Sequence, residues 1–167
     1  MIETASTPQR TTGGASAATA RIGHAHLHVR ELERSRRFYE EIAGLSTTES
    51  VAGRFAFLSA GHHHHDLALQ AIGAGAPDPR PGTPGLYHVA FEADDIPAFR
   101  TFWNRLRERD ISHAAVDHGI SWALYFDDPD GNGVEIYVDR RQATGRRRWN
   151  GQSTILGYAR AAAEAGG

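Results

Sequence analysis

The chain has no cysteine. Disulfides, thiolate metal sites and cysteine nucleophiles are thereby excluded, so any bound metal must be held by nitrogen and oxygen donors. It has no lysine either: all 18 basic residues are arginine, a bias without mechanistic consequence. No large charge excess exists, since the formal net charge is −2 with histidines neutral, and this points to no nucleic-acid partner. No apolar run approaches membrane-spanning length, and the N-terminus carries no secretory apolar segment. These absences favour a cytoplasmic protein that engages neither nucleic acid nor membrane. With 167 residues and an apolar fraction of 40%, the chain suits one domain, or two small halves sharing a core.

Histidine is abundant, with ten residues. His62-His63-His64-His65 lies inside the chain and runs straight into the strand-like Asp66-Leu67-Ala68-Leu69, so it reads as native sequence rather than an affinity tag. Residues 1–20 are rich in Ser, Thr, Ala and Gly without apolar periodicity, which predicts a disordered leader. A domain over 21–139 follows, in which one pattern occurs twice. The first copy, 21–72, opens with an alternating strand, His24 to Val29. A helix follows with Leu32, Tyr39 and Ile42 on one stripe, Phe38 beside it and Gly44 at its end. Short strands are expected near 45–50, 54–59 and 65–72. Residues 73–85 hold four prolines and several glycines and form a linker.

The second copy, 86–139, opens with a strand over 87–92. Asp94 or Asp95 caps the next helix, with Pro97 in its first turn and Ile96, Phe99, Trp103 and Leu106 at helical spacing. Strands near 113–117, 121–126 and 134–138 follow, the last two joined by the turn Asp128-Pro129-Asp130-Gly131. The order β-α-β-β-β, written twice, predicts an α+β fold: paired βαβββ modules forming a cupped mixed sheet around a metal-binding cleft, with helices on the outside. Residues 140–167 turn basic and end in a short helix near 155–163. A solvated tail is expected there, with a flap over the cleft or a subunit contact as the alternative.

Alternation along strands puts His24, His26 and His28 on one face, His88, Ala90 and Glu92 on one face, and Glu135 with Tyr137 on another. If these polar faces line the cleft, His24, His88 and Glu135 give two imidazoles and a carboxylate to one metal. That face leaves positions open for substrate and oxygen, as in non-haem Fe(II) oxygenases. Singly, each of these residues is more often a surface or hydrogen-bonded strand residue. Jointly, the matching places of His24 and His88 at the starts of the two repeats favour the metal reading, and His26 is the rival for His24.

The region 22–139 resembles the vicinal oxygen chelate superfamily, and within it the type I extradiol ring-cleaving dioxygenases, most of all their single-domain members. His65-Asp66-Leu67-Ala68-Leu69 resembles the family's His-Asp-(Ile/Leu)-Ala-Phe, with Leu69 in the place of phenylalanine. Tyr87-His88-Val89-Ala90-Phe91 is similar to the run carrying the family's second iron ligand, and His118-Gly119-Ile120-Ser121 to its His-Gly-Val-Ser. Tyr125 and Glu135 stand where the family places a tyrosine and the carboxylate ligand; His118 and Tyr125 lie slightly closer together than in some relatives. The resemblance implies Fe(II), or Mn(II), on His24, His88 and Glu135, with a small aromatic diol and O2 as substrates. It further implies His65 as acid–base residue, Tyr125 as a hydrogen-bond partner of the substrate oxygen, and His118 over the substrate. A homodimer stays open, with the repeats pairing within one chain or swapping between chains.

The same scaffold allows other activities. A glyoxalase-like isomerase adds a fourth ligand, often Glu, from the fourth strand of the first repeat, where Asp66 and Gln70 are the only substitutes. A fosfomycin-type thiol transferase uses two His and one Glu without needing His65, His118 and Tyr125. A metal-free drug-binding module would lack the three ligands altogether.

Overall fold

Side chains alternate along an extended strand, and this decides what each sheet buries. In β1 (Ala25–Val29) Leu27 and Val29 are buried while His26 and His28 stay exposed. The computed structural model of the protein describes residues 18–79 and 82–164. The expected leader falls largely outside the described residues, as do positions 80 and 81 of the linker.

The first module continues with α1 (Leu32–Ile42), β2 (Ser46–Val51), β3 (Phe55–Ser59) and β4 (Leu67–Ala71). Leu32, Ser35, Tyr39 and Ile42 form the buried stripe of α1, and Gly44 leaves the helix at φ +72°, a conformation glycine adopts without strain. The second module repeats the order with β5 (Val89–Glu92), α2 (Ile96–Glu108), β6 (His113–Asp117), β7 (Ser121–Asp127) and β8 (Gly133–Asp139). The Asp95 side chain accepts from Ala98 N at 2.7 Å and starts α2, whose buried face is Phe99, Trp103 and Leu106.

Two mixed sheets result. Their orders are β1-β4-β3-β2 and β5-β8-β7-β6-β9, with β1 parallel to β4 and β5 parallel to β8. The first strand of each module, β1 or β5, therefore lies at an edge of its sheet. The tail adds α3 (Arg141–Thr144), β9 (Thr154–Ile155) and α4 (Tyr158–Glu164). It is more than a solvated extension: β9 pairs with β6, and Leu156 and Ala161 are buried. Arg140 lies 3.9 Å over the Trp122 ring, which fixes the start of the tail on the second sheet.

One apolar core runs through both modules, joining Leu27, Tyr39 and Leu58 to Phe99, Phe126 and Ile136. A polar lock reinforces it. The buried Asp128 carboxylate accepts from the Tyr39 hydroxyl (3.0 Å), the N–H groups of Asp130 and Asn132 (both 2.9 Å) and Asn132 Nδ2 (2.9 Å). Buried Asp130 accepts from the Ser35 hydroxyl at 3.0 Å and from Arg34. Burial, with the nearby Asp128 and Asp130 charges, pushes the Tyr39 phenol well up, so it stays a donor. The turn between β7 and β8 thus clamps α1 of the other module.

Candidate active site

Strand register brings the second module's polar residues together. Tyr125 of β7 pairs directly with Glu135 of β8, and Ala90 of β5 pairs with Glu135 from the other side. His88, two residues before Ala90, falls on the same face. His88 Nε2 lies 2.9 Å from Glu135 Oε2, and the Tyr125 hydroxyl donates to Glu135 Oε1 at 2.9 Å. His118 follows β6 in a two-residue hairpin turn whose first residue is Gly119 at φ +77°. Its Nε2 meets the Tyr125 hydroxyl at 2.9 Å and its Nδ1 meets Ser153 Oγ at 2.7 Å.

These contacts fix the tautomer of His118. Tyr125 has one proton, and that proton is donated to Glu135. Neutral His118 must therefore donate from Nε2, and its Nδ1 accepts from the Ser153 hydroxyl. Burial, then the hydrogen bond and charge of Glu135, push the Tyr125 phenol well above its ordinary value. A row of five side chains results, running from Ser153 through His118, Tyr125 and Glu135 to His88.

The tail residues in this row carry no pattern that marks them in the sequence. Ser153 reaches His118 only because β9 pairs with β6, and the Trp149 ring packs edge-on against His118 at 6.1 Å between centroids. A lone tryptophan in a polar run was the only signal. His88 and Tyr125 open onto a cavity also lined by Tyr87 and Ala114.

The other two expected residues meet elsewhere. The His24 and His65 rings are 4.4 Å apart, and His65 also packs on Phe57 at 5.0 Å. His65 precedes β4 in the loop of four histidines, with its Nδ1 2.9 Å from His64 Nδ1. Burial and the neighbouring His24 and His64 hold its pKa below the ordinary value.

The two groups are separate within the chain. A Cβ on Gly133 would lie 3.3 Å from His88 Cβ, so the start of β8 adjoins His88. Next to it, Asn132 Nδ2 donates to His28 O at 3.2 Å, so the His28 end of β1 faces His88. His24 is four residues back along the strand, about 13 Å away at roughly 3.3 Å per residue. It lines a different cavity, with Glu92, Ala93 and Asp94 from the far end of β5. Among the described residues, no three His, Asp or Glu side chains group closely enough to hold one ion.

The His88–Glu135 pair nevertheless has the donor chemistry of half a metal site. The separation of 2.9 Å is that of a hydrogen-bonded ion pair, and it is also near the spacing of about 3.0 Å between ligands at right angles on one octahedral ion with bonds of about 2.1 Å. His88 Nδ1 is buried and has no partner among the described residues, so the imidazole has capacity that the chain does not consume. No helix among the described residues is long and apolar enough to cross a membrane.

Comparison with known proteins agrees with this architecture. The model of the Glyoxalase/Bleomycin resistance protein/Dioxygenase superfamily matches residues 21–136. The chain is 37% identical over 126 residues to a catechol-2,3-dioxygenase of Bacillus subtilis (strain 168), covering 75% of this chain and 44% of that protein. It is 33% identical over 124 residues to biphenyl-2,3-diol 1,2-dioxygenase 3 of Rhodococcus globerulus, covering 72% and 64%. The chain thus spans less than two thirds of the length of either relative. A solved lactoylglutathione lyase from Agrobacterium tumefaciens is similar with a TM-score of 0.55 and 26% identity, covering 72% of this chain and 94% of that one.

Proposed function

The chain belongs to the Glyoxalase/Bleomycin resistance protein/Dioxygenase superfamily, and from that premise we propose that it is a cytoplasmic extradiol dioxygenase that uses Fe(II), or Mn(II), to open a catechol-type ring with O2. The observation that carries this reading is the row His88, Glu135, Tyr125 and His118 on one face of the second sheet. A thiol transferase or isomerase on the same scaffold needs the metal ligands but not Tyr125 and His118. The two dioxygenase relatives support the same reading.

His88 and Glu135 of one copy would hold the metal together with His24 of another, the repeats swapping between chains, since His24 is about 13 Å from His88 within one chain. Once bound, the metal would offer open positions to a diol and O2 and lower the pKa of the diol hydroxyl. The remaining work falls to this chain's side chains. Tyr125 keeps its proton at neutral pH, so it acts as a hydrogen-bond partner for a substrate oxygen rather than as a base. His118, oriented by Ser153, holds Tyr125 in place from the other side. His65 is neutral at neutral pH and can accept the proton the diol must lose, then return it as an acid.

The isomerase alternative needs a fourth ligand, and Asp66 is already engaged. Its Oδ2 accepts from Ala60 N at 2.8 Å and from Ser59 Oγ at 3.2 Å. The deciding experiment is anaerobic Fe(II) loading followed by oxygen uptake and visible absorbance with a panel of catechols. The expected result is oxygen consumption with formation of a yellow ring-opened semialdehyde. Iron binding without oxygen uptake, together with turnover of a glutathione hemithioacetal or thiol transfer, would replace the dioxygenase reading. Binding of no metal at all would point to the drug-binding module.

A further inference from the structure

We propose that the loop between β3 and β4 carries a second metal site, in which His64 and His65 take a Zn(II)-like cation through their Nδ1 atoms, and that filling it inhibits ring cleavage by occupying His65. The inhibition rests on the reading of His65 as the acid–base residue; the binding does not. The two Nδ1 atoms lie 2.9 Å apart. Neutral imidazoles meet this way only when one donates and the other accepts. Glu49 decides which. Its Oε2 lies 3.3 Å from His64 Nε2, so His64 carries its proton on Nε2 and keeps a lone pair on Nδ1. His65 then donates from Nδ1, and its own lone pair is on Nε2, the nitrogen that would receive the diol proton.

A cation changes only this bridge. It takes the place of the shared proton, so both Nδ1 lone pairs turn to it while the His64 Nε2–H stays on Glu49. A ligating imidazole whose other N–H rests on a carboxylate is the usual setting of a metal-bound histidine. A tetrahedral ion with bonds of about 2.0 Å sets its nitrogens about 3.3 Å apart. The pair must open by about 0.4 Å, and the exposed His64 ring supplies that by turning. The rest of the site is already held. Both rings pack on Phe57, at 6.0 and 5.0 Å between centroids, and Thr48 Oγ1 lies 2.8 Å from His64 O. The backbone of Asp66 donates to Leu58 O at 2.9 Å and accepts from Ala25 N at 3.0 Å. Imidazole donors favour Zn(II), Ni(II) or Cu(II) over Fe(II), so this pair selects a different ion from the His88–Glu135 pair. No third His, Asp or Glu among the described residues joins it, so water fills the remaining positions and the ion stays exchangeable. With Nδ1 on the cation, the single proton of neutral His65 moves to Nε2. That nitrogen then has no lone pair for the diol proton, and the base is switched off.

Zinc titration of the Glu135→Ala protein isolates this site, because that variant lacks a ligand of the proposed iron site. Calorimetry should show one Zn(II) per chain. Adding His64→Ala should abolish that binding, and adding Glu49→Gln should weaken it about tenfold, the low end of the cost of losing such a carboxylate partner. Zinc binding that survives His64→Ala, or that disappears with His62→Ala and His63→Ala instead, would overturn the site. Ring cleavage supplies the second arm. Iron-loaded wild-type protein should lose turnover over the zinc range that fills the site, with its iron content unchanged by elemental analysis. Iron-loaded His64→Ala should lose this response to zinc. Full turnover with zinc bound, or activity that falls only in step with lost iron, would overturn the inhibition. A protein that binds zinc as described but opens no catechol under any iron loading would remove the dioxygenase reading, and the inhibition with it, and leave the second metal site standing.

Discussion

The two modules use one backbone pattern for different chemistry. In the second sheet, register sets Glu135 between Ala90 and Tyr125. The same register in the first sheet sets Ala68 between His26 and Phe57. An alanine thus stands where the carboxylate would be, and a phenylalanine where the tyrosine would be. The second module has a row of side chains held by directed hydrogen bonds. The first has histidine rings in tilted contact, His24 against half-buried His65, which also leans on Phe57. Duplication supplies the scaffold, and divergence at two facing positions decides which half is preorganised.

Removing the carboxylate should erase this difference and gives the largest expected effect. Glu135→Ala leaves His88 without its partner and deletes one of three proposed ligands, so iron retention after desalting should fall to background by elemental analysis. Full occupancy in that variant would take Glu135 out of the site. A smaller effect is expected from the first module's half. His65→Phe should keep iron yet slow ring cleavage by about 100- to 10,000-fold, the usual worth of a general acid–base residue. Its pH profile sharpens the comparison. The His65 pKa lies below its ordinary value of about 6.5. The neutral base therefore persists to lower pH than an unperturbed histidine, and activity should fall only on the acid side of that value. In His65→Phe this acid limb should disappear, and an unchanged turnover would exclude His65 from proton transfer.

The next effect concerns what keeps the halves apart. Asp128→Ala would orphan the Tyr39 hydroxyl and two backbone N–H groups inside the junction. A loss of about 3 kcal/mol is expected, a factor of roughly 150 in the folding equilibrium. Urea titration measures it, and a shift under ~1 kcal/mol would mean the turn does not clamp α1.

Much of this architecture is legible in the sequence because it is local. Alternation fixed the exposed row His24, His26 and His28, and the helical stripe Phe99, Trp103 and Leu106 was buried as its spacing predicts. Asp128-Pro129-Asp130-Gly131 reads as a turn from its composition. Its service as a clamp does not, since the partner Tyr39 lies 89 residues earlier. The separation of His24 from His88 is hidden for the same reason. Matching positions in two repeats tell which face each histidine takes, but not how the two sheets are set against each other. That depends on long-range packing of α1 against the second module.

The smallest predicted effect falls on the tail, which ties the second module's row to a segment without a counterpart in the first. Ser153→Ala should leave iron content and the fold unchanged, because Ser153 is exposed and its only described side-chain contact is His118 Nδ1. Without the serine hydroxyl, the Nε2–H form of His118 loses the donor that favours it. Some His118 should then carry its proton on Nδ1 and cease to donate to Tyr125. Nitrogen NMR of the imidazole reads this tautomer shift without reference to activity. Turnover should fall by about fivefold or less, the scale of one neutral hydrogen bond of ~1 kcal/mol. An unchanged tautomer would mean that the contact with Tyr125 alone holds His118, and the tail would then matter to the site only through Trp149.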